Sequence, residues 1–578
     1  MYNTDNGLSK RQKFDLIESQ LREERESFRK TWIDLADYIL PRRGRFFITD
    51  VNDGQRKDER IIDSSATMAS RTLASGMMTG VTSPARQWFR LTTDREDLNE
   101  NPEVKTYLKD VSEKMRMIFL KSNLYNVLPT LYGDLGTFAT GAIYMEEDMD
   151  NVINFISFPI GSYMIANDKS GKVSIFFREF QMSVRQIVDK FGRIDPTNPK
   201  YIDWSNISEH VKNQYDQGLY EAMIDINHMI LPNDEYSPNR PESKYKKYKS
   251  VYYEKGASST TSHVSYGSAY PNKFLSEKGY GYFPVMAVRW EIAGEDTYGT
   301  NSPGLIALGD VKQLQLGERR IAEAIDQKVK PSMVGPTSLR NAKASIIPGH
   351  ITYLDEREGT RGFRRLFEVD FDIRELEGKQ EQIRQRISKA YYEDLFLMLA
   401  NTNRRQITAR EIEERHEEKL LGLGPVLERI NQDLLDPLIE NTLEVMNNQD
   451  LLPETPEDLV GQEYTIEYIS VMAQAQKLAG IGNIERLVGF IGQAAALNPE
   501  AVQKLDIDEA LEVYGDLVGV DPAMLKTKEE MEAIRQQQAQ AMAQQQQAEN
   551  AATMASAGKA LSETKMDEDT ALDQVLGG

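Results

Sequence analysis

The sequence contains no cysteine, which excludes disulfide bonds and thiolate metal ligands. It also lacks any run of about 18 apolar residues, the length needed to cross a bilayer as a helix. The opening residues, MYNTDNGLSKRQKF, have no apolar core of the kind found in a secretory signal peptide. We therefore expect no membrane insertion.

Basic side chains are in the minority: 69 Lys and Arg face 90 Asp and Glu, for a formal net charge of −21. Such a surface repels nucleic-acid phosphates on average, so any contact with DNA is expected to be local and weak. The chain of 578 residues is long enough for several domains and more than one buried core.

Motifs of catalysis are also missing. The histidines have no paired spacing that suits a metal, and HEEKL, from His416, resembles the zinc motif H-E-x-x-H but ends on Leu420. We read it as one face of a charged helix. The lysines that follow a glycine (Lys172, Lys379 and Lys559) precede Val, Gln and Ala, so no P-loop is formed, and G-x-S-x-G is absent. We expect no catalytic residue, metal or cofactor.

The stretch LASGMMTGVTSPARQWFRL, residues 73–91, raises a choice between a phosphate loop and a packing seam. Gly76 and Gly80 are four residues apart and lack the following lysine of a phosphate loop. Four-residue spacing places both on one helix face, where another backbone can approach closely. We favour packing, with Trp88 and Phe89 as apolar anchors.

Hydrophobic spacing predicts an amphipathic helix through FDLIESQLREERESFRKTWIDLADYILP, ending near Pro41, and a second helix that ends at Ser83-Pro84. From about residue 152 the pattern shortens to alternating runs such as INFISF and KVSIFFREF, which predict strands. Residues 231–282 suit either a long linker or strands joined by loops. Tyrosine content and alternation favour strands.

Two long helices are predicted around a compact insert. Ser302-Pro303-Gly304 opens a helix over 302–330 that is about 40 Å long, and Pro331 closes it. Residues 331–370 hold prolines, glycines and short β-like runs, and a second helix follows over 371–400. This arrangement predicts a stalk that carries a tip.

Polar residues 401–407 then interrupt the periodicity, and Thr408 with Glu411 forms a capping box for a helix over 408–460. Gly422, Gly424, Pro425 and Pro437 are expected to bend that helix. Helical runs continue over 461–525. The Gln/Ala-rich end, 526–578, suits either disorder or a helix that orders when several copies bundle, followed by a frayed tail.

Three stretches resemble one viral family. They are SSATMASRTLASGMMTGVTSPARQWFRL, GYGYFPVMAVRWEIAGEDTYGTNSPGLIALGDVKQLQLGE, and ITAREIEERHEEKLLGLGPVLERINQDLLDPLIENTLEVM. In content and order they are similar to segments of bacteriophage portal proteins, the head-to-tail connectors of short-tailed, T7-like phages. The likeness covers residues from about 10 to 460.

The resemblance implies an α+β, mainly helical subunit in a ring, commonly of twelve copies, at one capsid vertex. Its parts would be a wing over 1–301 with a β-rich region at about 152–290, stem helices over 302–330 and 371–400, and a β-containing clip over 331–370. A channel loop over 401–407, a long wing helix over 408–460, a crown over 461–525 and a C-terminal barrel helix over 526–578 would complete it.

The resemblance also assigns residues. The channel loop would present Asn401, Asn403, Arg404, Arg405 and Gln406 to DNA in a largely electronegative channel. The two arginines could instead pair with carboxylates such as Glu411 of the next subunit. The clip cluster comprises Arg340, Lys343, Arg361, Arg364 and Arg365, which could meet DNA, partner proteins or neighbouring subunits.

The expected partners are double-stranded DNA, the large terminase, the major capsid and scaffolding proteins, and tail adaptor and internal core proteins, with no membrane. The expected location is the virion, and the host cytoplasm during assembly. Two other functions were weighed. A packaging ATPase lacks support because no Walker lysine is present, and a helical capsid-assembly scaffold without a DNA channel does not explain a stalk with a tip.

Overall fold

The structure is a computed structural model of the whole chain. It describes residues 10–50, 52, 54–148, 150–193, 201–255, 274–329, 333–334, 364–365, 373–401, 422–462, 464–470, 472–473, 487–491 and isolated helical positions between 531 and 556. The chain divides into two compact units, and among the described residues the first unit holds every strand.

The helices mix long amphipathic rods with short connecting turns. They are α1 (Lys10–Tyr38), α2 (Ser65–Gly80), α3 (Glu96–Glu100), α4 (Pro102–Lys121), α5 (Leu124–Phe138), α6 (Val184–Ile187), α7 (Glu209–Asp216), α8 (Pro303–Val329), α9 (Ile373–Ala390), α10 (Glu393–Asn401) and α11 (Asp436–Asn448). Residues 422–430 are also helical and run through a π-helical segment, Asn431–Leu435, into α11. A second π-helical segment, Val188–Gly192, follows α6.

The strands are β1 (Phe89–Thr93), β2 (Thr140–Asp148), β3 (Val152–Phe158), β4 (Tyr163–Asn167), β5 (Val173–Ser183), β6 (Met223–Pro232), β7 (Tyr248–Glu254), β8 (Ser276–Tyr280), β9 (Val285–Arg289), β10 (Met333–Val334), β11 (Arg364–Arg365) and β12 (Tyr464–Tyr468). They form an antiparallel five-stranded sheet in the order β4-β5-β6-β7-β8 and a three-stranded sheet in the order β3-β2-β9. Two further antiparallel pairs are β1-β12 and β10-β11. The predicted α+β class is confirmed.

The five-stranded sheet is buried on both faces. Because side chains alternate along a strand, Phe177 of β5 faces one side and Phe176 the other. Phe177 packs with Phe14 of α1 in one apolar cluster. Phe176 lies 5.2 Å, between ring centroids, from Phe158 of the three-stranded sheet. The order of layers is therefore α1, the five-stranded sheet and the three-stranded sheet, and α5 packs on the last of these.

Several boundaries differ from the predicted ones. The β-rich region begins at Thr140, because the apolar run of β2 follows directly on the buried end of α5. The predicted helix over 371–400 is broken between α9 and α10, where Tyr392 has a φ of 53° and leaves the helical region. The predicted helix over 408–460 ends at Asn448, since Asp450 also has a positive φ of 54°.

The predicted crown, 461–525, also starts differently. Its residues Tyr464–Tyr468 form β12, which pairs with β1 from Phe89↔Tyr468 to Thr93↔Tyr464. A pairing between segments so distant in sequence leaves no local signal, so hydrophobic periodicity did not predict it.

A buried ion pair fixes α11 to the sheets. Arg289, at the end of β9, is 0% exposed, and it meets Asp433 of the π-helical segment through two bonds of 3.0 Å, Nε to Oδ2 and Nη2 to Oδ1. Its Nη1 donates to Asn167 Oδ1 at 3.1 Å and its Nη2 also donates to the Gly171 carbonyl at 3.0 Å. Removing one partner of such a buried pair costs about 3–5 kcal/mol.

His228 of β6 is a neutral polar group in the middle of the core. Arg178 Nε donates to its Nδ1 at 3.1 Å, its Nε2 lies 2.9 Å from Ser250 Oγ, and Tyr252 stacks on the ring at 3.8 Å between centroids. Burial, reinforced by the positive charges of Arg178 and Lys190, lowers the pKa of His228 well below its ordinary value. The folded chain therefore does not protonate this ring at mildly acidic pH.

This depressed pKa predicts a loss of stability on acidification. The unfolded chain binds a proton at His228 below its ordinary pKa of about 6.5 and the folded chain does not, so stability falls as the pH drops from 7 to 5. In His228→Gln, thermal unfolding midpoints measured across this range should depend less steeply on pH. His210→Gln is the control and should keep the wild-type slope. Equal slopes in the two variants would contradict the assignment.

Candidate functional site: the anchorage of the helical stem

Helices α8 and α9 form an antiparallel pair, named here the stem. Gln380 lies against Gly317, and six residues later Arg386 bonds Asp310 at 2.9 Å. The partner on α8 thus moves back as α9 advances, so the two helices run in opposite directions. The pair β10-β11 extends this antiparallel course beyond both helices, with Met333↔Arg365 and Val334↔Arg364.

A polar clamp holds the stem to the start of α2. Gln315 of α8 accepts from the backbone N–H groups of Ile62 and Asp63 at 2.7 and 2.8 Å, and it donates to the Asp63 carbonyl at 2.7 Å. Arg384 of α9 donates from Nε to Asp63 Oδ2 at 2.9 Å and from Nη2 to Glu318 Oε1 at 2.6 Å. One turn of chain before α2 therefore binds both stem helices.

Electrostatics favour the charged forms within this clamp. Burial raises the pKa of Asp63, but the hydrogen bonds from Ser65 and Arg384 outweigh it and hold the pKa below its ordinary value. The hydrogen bond to Asp63 raises the pKa of Arg384. Since the Arg384 side chain is 34% exposed, solvent screens part of this interaction. The clamp therefore fixes the orientation of the stem helices more than it adds to the free energy of unfolding.

Further along α2, a small residue lets α10, the helix that follows the stem, pack closely against it. A Cβ built on Gly76 would lie 2.4 Å from both Cβ and Cδ1 of Phe396, which is fully buried on α10. No real side chain fits at that distance, so only glycine allows this contact. The partner is an aromatic side chain and not the backbone that the sequence led us to expect.

Helix α2 also packs on α5, and α5 in turn contacts the first residues of α8. A Cβ on Gly136 would lie 2.8 Å from Leu73 Cδ2, and Ser70 Oγ lies 2.9 Å from Thr137 Oγ1. Ser302 donates to the Thr137 carbonyl at 3.0 Å, and a Cβ on Gly304 would meet that same carbonyl at 2.4 Å. Helices α2 and α5 together are named here the platform.

The remaining wing-packing residues lie close to the platform. Gly80 is buried as the last residue of α2. Trp88 and Phe89 are each 1% exposed, with ring centroids 4.6 Å apart, and both pack on Phe119 of α4. Trp88 Nε1 also donates to Tyr125 Oη at 3.2 Å. These aromatic residues therefore secure α4 and the start of α5 beside β1.

Most of the basic and polar residues assigned to the clip and channel lie outside the described residues: Arg340, Lys343, Arg361, Asn403, Arg404, Arg405 and Gln406. Arg364 and Arg365 are described through their backbone, which forms β11. Asn401 is the last residue of α10. The assignment of these residues to a clip and a channel loop therefore stays a prediction.

Sequence reasoning missed the clamp. Asp63 and Arg384 are 321 residues apart, and an arginine within a charged helix gives no sign of its partner. In the described part of the chain no group of three His, Asp or Glu side chains could hold a metal ion. None of the described helices combines the length and apolarity needed to cross a membrane.

Comparison with known proteins adds a family and two relatives. Residues 11–525 match the family model described as bacteriophage head to tail connecting protein. The chain is 43% identical over 558 residues to a portal protein of Salmonella phage epsilon15, and the match covers 96% of each chain. It is 41% identical over 535 residues to a probable portal protein of Bordetella phage BPP-1, covering 93% of this chain and 92% of the relative.

The platform predicts opposite effects for two glycine-to-alanine changes in helices. Gly76→Ala should destabilise the protein by about 1–3 kcal/mol, because the methyl group displaces Phe396. Gly378→Ala on α9, where a Cβ would meet nothing within 4 Å, should be neutral or stabilise by up to about 1 kcal/mol. Thermal unfolding of the two variants measures the difference. If both variants were more stable than the wild type, Phe396 of α10 would not be in close contact with α2 at Gly76.

Proposed function

The chain belongs to the bacteriophage head-to-tail connecting protein family, and from this membership we propose that it forms a ring at one capsid vertex through which double-stranded DNA passes. One observation carries the proposal: two relatives whose names describe a portal and a probable portal match this chain over more than nine-tenths of their lengths. The function is therefore a portal function within the virion. The alternative, a capsid-assembly scaffold without a channel, gains nothing from these relatives.

The stem suits the wall of a channel. α8 alone, with its 27 residues, is about 40 Å long. The clamp at Asp63, just before α2, holds α8 and α9, and the contact at Gly76 holds α10, the helix that follows the stem. In our proposal each copy contributes one such anchored helix pair, and residues 331–370 form the clip at the far end of the pair.

One face of α8 supports the contact between copies. Ile306, Gly309, Gln313, Leu316 and Arg320 recur every three or four residues and are all exposed in the single chain. Ile306 and Leu316 are 65% and 48% exposed, so this face presents two large apolar side chains to solvent. We propose that this face packs against the stem of the neighbouring copy and that a closed ring, commonly of twelve copies in this family, results.

Negative charges introduced on this face should prevent assembly. The double variant Ile306→Glu/Leu316→Glu should give single subunits, because glutamates in the contact would be desolvated without partners. Negative-stain images and the mass in solution measure the outcome, and the wild type should give rings with a central hole. Met117→Glu on α4, where Met117 is 60% exposed, is the matched control and should form rings. A wild type without rings, or a double variant with normal rings, would contradict the proposal.

We propose a channel that is largely electronegative, because DNA that must move quickly cannot be held at many cationic contacts. Each phosphate neutralised by Lys or Arg releases counterions and strengthens binding. The net charge of −21 supports this arrangement. Arg404 and Arg405, in the loop over 401–407, are proposed to touch DNA at the narrowest point.

The competing role of these arginines, pairing with Glu411 of a neighbour, gives a different outcome on substitution. In Arg404→Gln/Arg405→Gln the rings should still form, and duplex DNA should bind them with a weaker dependence on salt concentration. Arg410→Gln, next to the loop, is the control and should keep the wild-type salt dependence. Failure of the double variant to assemble would favour the intersubunit pairing and overturn the DNA contact.

The remaining assignments follow from portal function. We propose that the clip, with Arg340, Lys343, Arg361, Arg364 and Arg365, docks the large terminase during packaging and tail adaptor proteins afterwards. Major capsid, scaffolding and internal core proteins would contact the other faces of the ring. We propose a structural role without catalysis or cofactor, so that the energy for packaging comes from a separate ATPase. Assembly would take place in the host cytoplasm.

A further inference from the structure

A cavity of about 220 Å³ opens between α1, the segment 45–49 and the turn at Gly161. Its lining includes four basic side chains and one carboxylate: Arg22, Arg25, Arg45, Lys255 and Glu179. Such a group is unexpected in a chain with a net charge of −21. The portal proposal uses none of these residues.

Two of the four cations have carboxylate partners. Arg22 Nη2 donates to Glu18 Oε1 at 2.7 Å and to Glu179 Oε2 at 3.2 Å, and Lys255 Nζ donates to Glu179 Oε1. Burial raises the pKa of Glu179, but the bonds from Lys255 and Arg22 outweigh it and keep the pKa below its ordinary value. Glu179 is therefore ionised and fully engaged.

The other two cations, Arg25 and Arg45, form no ion pair within the part of the chain that the structure describes. Arg25 is only 7% exposed; its Nη1 donates to the Gly161 carbonyl at 2.6 Å, and its Nε is buried without a partner. The Nε of Arg45 is likewise buried without a partner. Burial, together with the charge of Arg22, lowers the pKa of Arg25.

A guanidinium stays charged in a protein, so burying Arg25, and the Nε of the partly exposed Arg45, without a counterion carries a free-energy cost that a bound anion would reduce. Guanidinium groups bind phosphate oxygens through paired, charge-assisted hydrogen bonds. Two unpaired positive charges balance the charge of about −1.5 to −2 on a phosphate or phosphomonoester near neutral pH. The cavity is several times larger than the roughly 30 Å³ share of one water molecule, so a tetrahedral oxyanion fits.

We propose that this cavity binds a dianionic phosphate, either inorganic phosphate or the phosphomonoester of a small molecule, with Arg25 and Arg45 as its ligands. The bound anion joins α1 to the 45–49 segment and to the turn at Gly161. Inside a phage head the site would bind free phosphate compounds. It would not bind passing duplex DNA, because each phosphodiester of DNA carries only one negative charge.

The test is binding of inorganic phosphate to the full-length protein by titration calorimetry, at pH 7.5 and constant ionic strength with chloride as the replaced anion. We expect saturable binding and a thermal unfolding midpoint that rises with phosphate concentration. Arg45→Gln should weaken binding about 10- to 100-fold, the loss expected for a hydrogen bond to a charged group. Arg185→Gln, an exposed arginine paired with Glu221, should bind phosphate as the wild type does.

Arg25→Lys keeps the positive charge but loses the planar arrangement of donors, so it should also weaken phosphate binding. This variant replaces Arg45→Gln in the test if Arg45→Gln does not fold. A short DNA duplex at the same phosphate concentration should not bind in a manner that depends on Arg45. The proposal is overturned if inorganic phosphate fails to bind saturably, if the pocket variants bind it as tightly as Arg185→Gln does, or if only the duplex depends on Arg45.

Discussion

The architecture depends on how closely α2 can be approached by its neighbours. Its small side chains let Phe396 of α10 enter at Gly76 and bring Leu73 against Gly136 of α5. Because interiors are packed to the density of organic crystals, a methyl group added at Gly76 would displace Phe396. These contacts place α5 and α10, which adjoin α8 and α9 of the stem.

Polar interactions fix the orientation of the helices that pack on this apolar core. Gln315 and Arg384 bind the chain at Asp63 just before α2 begins, so the platform receives α8 and α9 at defined points along their lengths. Arg289 and Asp433 do the same for the π-helical segment that leads into α11. In the ring that we propose, such joints would hold the stem of every copy at the same angle.

The sequence predicted those parts of the fold whose signals are local. Amphipathic spacing and the Ser302-Pro303-Gly304 start were enough for α1, α2 and α8, and alternation was enough for β3 and β5. The break at Tyr392 went unpredicted because a non-glycine residue with positive φ has no sequence signature there. The pairing of β1 with β12 and the clamp at Asp63 went unpredicted because their partners are hundreds of residues apart. The likeness to portal proteins, by contrast, depended on ordered motifs, and the full-length relatives confirm it.

We propose that anchored stems from several copies enclose an axial passage. A three-dimensional cryo-electron microscopy map of the assembled oligomer would show it. We expect a closed ring in which α8 and α9 of every copy surround an open channel, with residues 331–370 at one end and the platform of α2 and α5 farther from the axis. An open or irregular assembly, or a ring whose stems lie on the outer circumference, would contradict it.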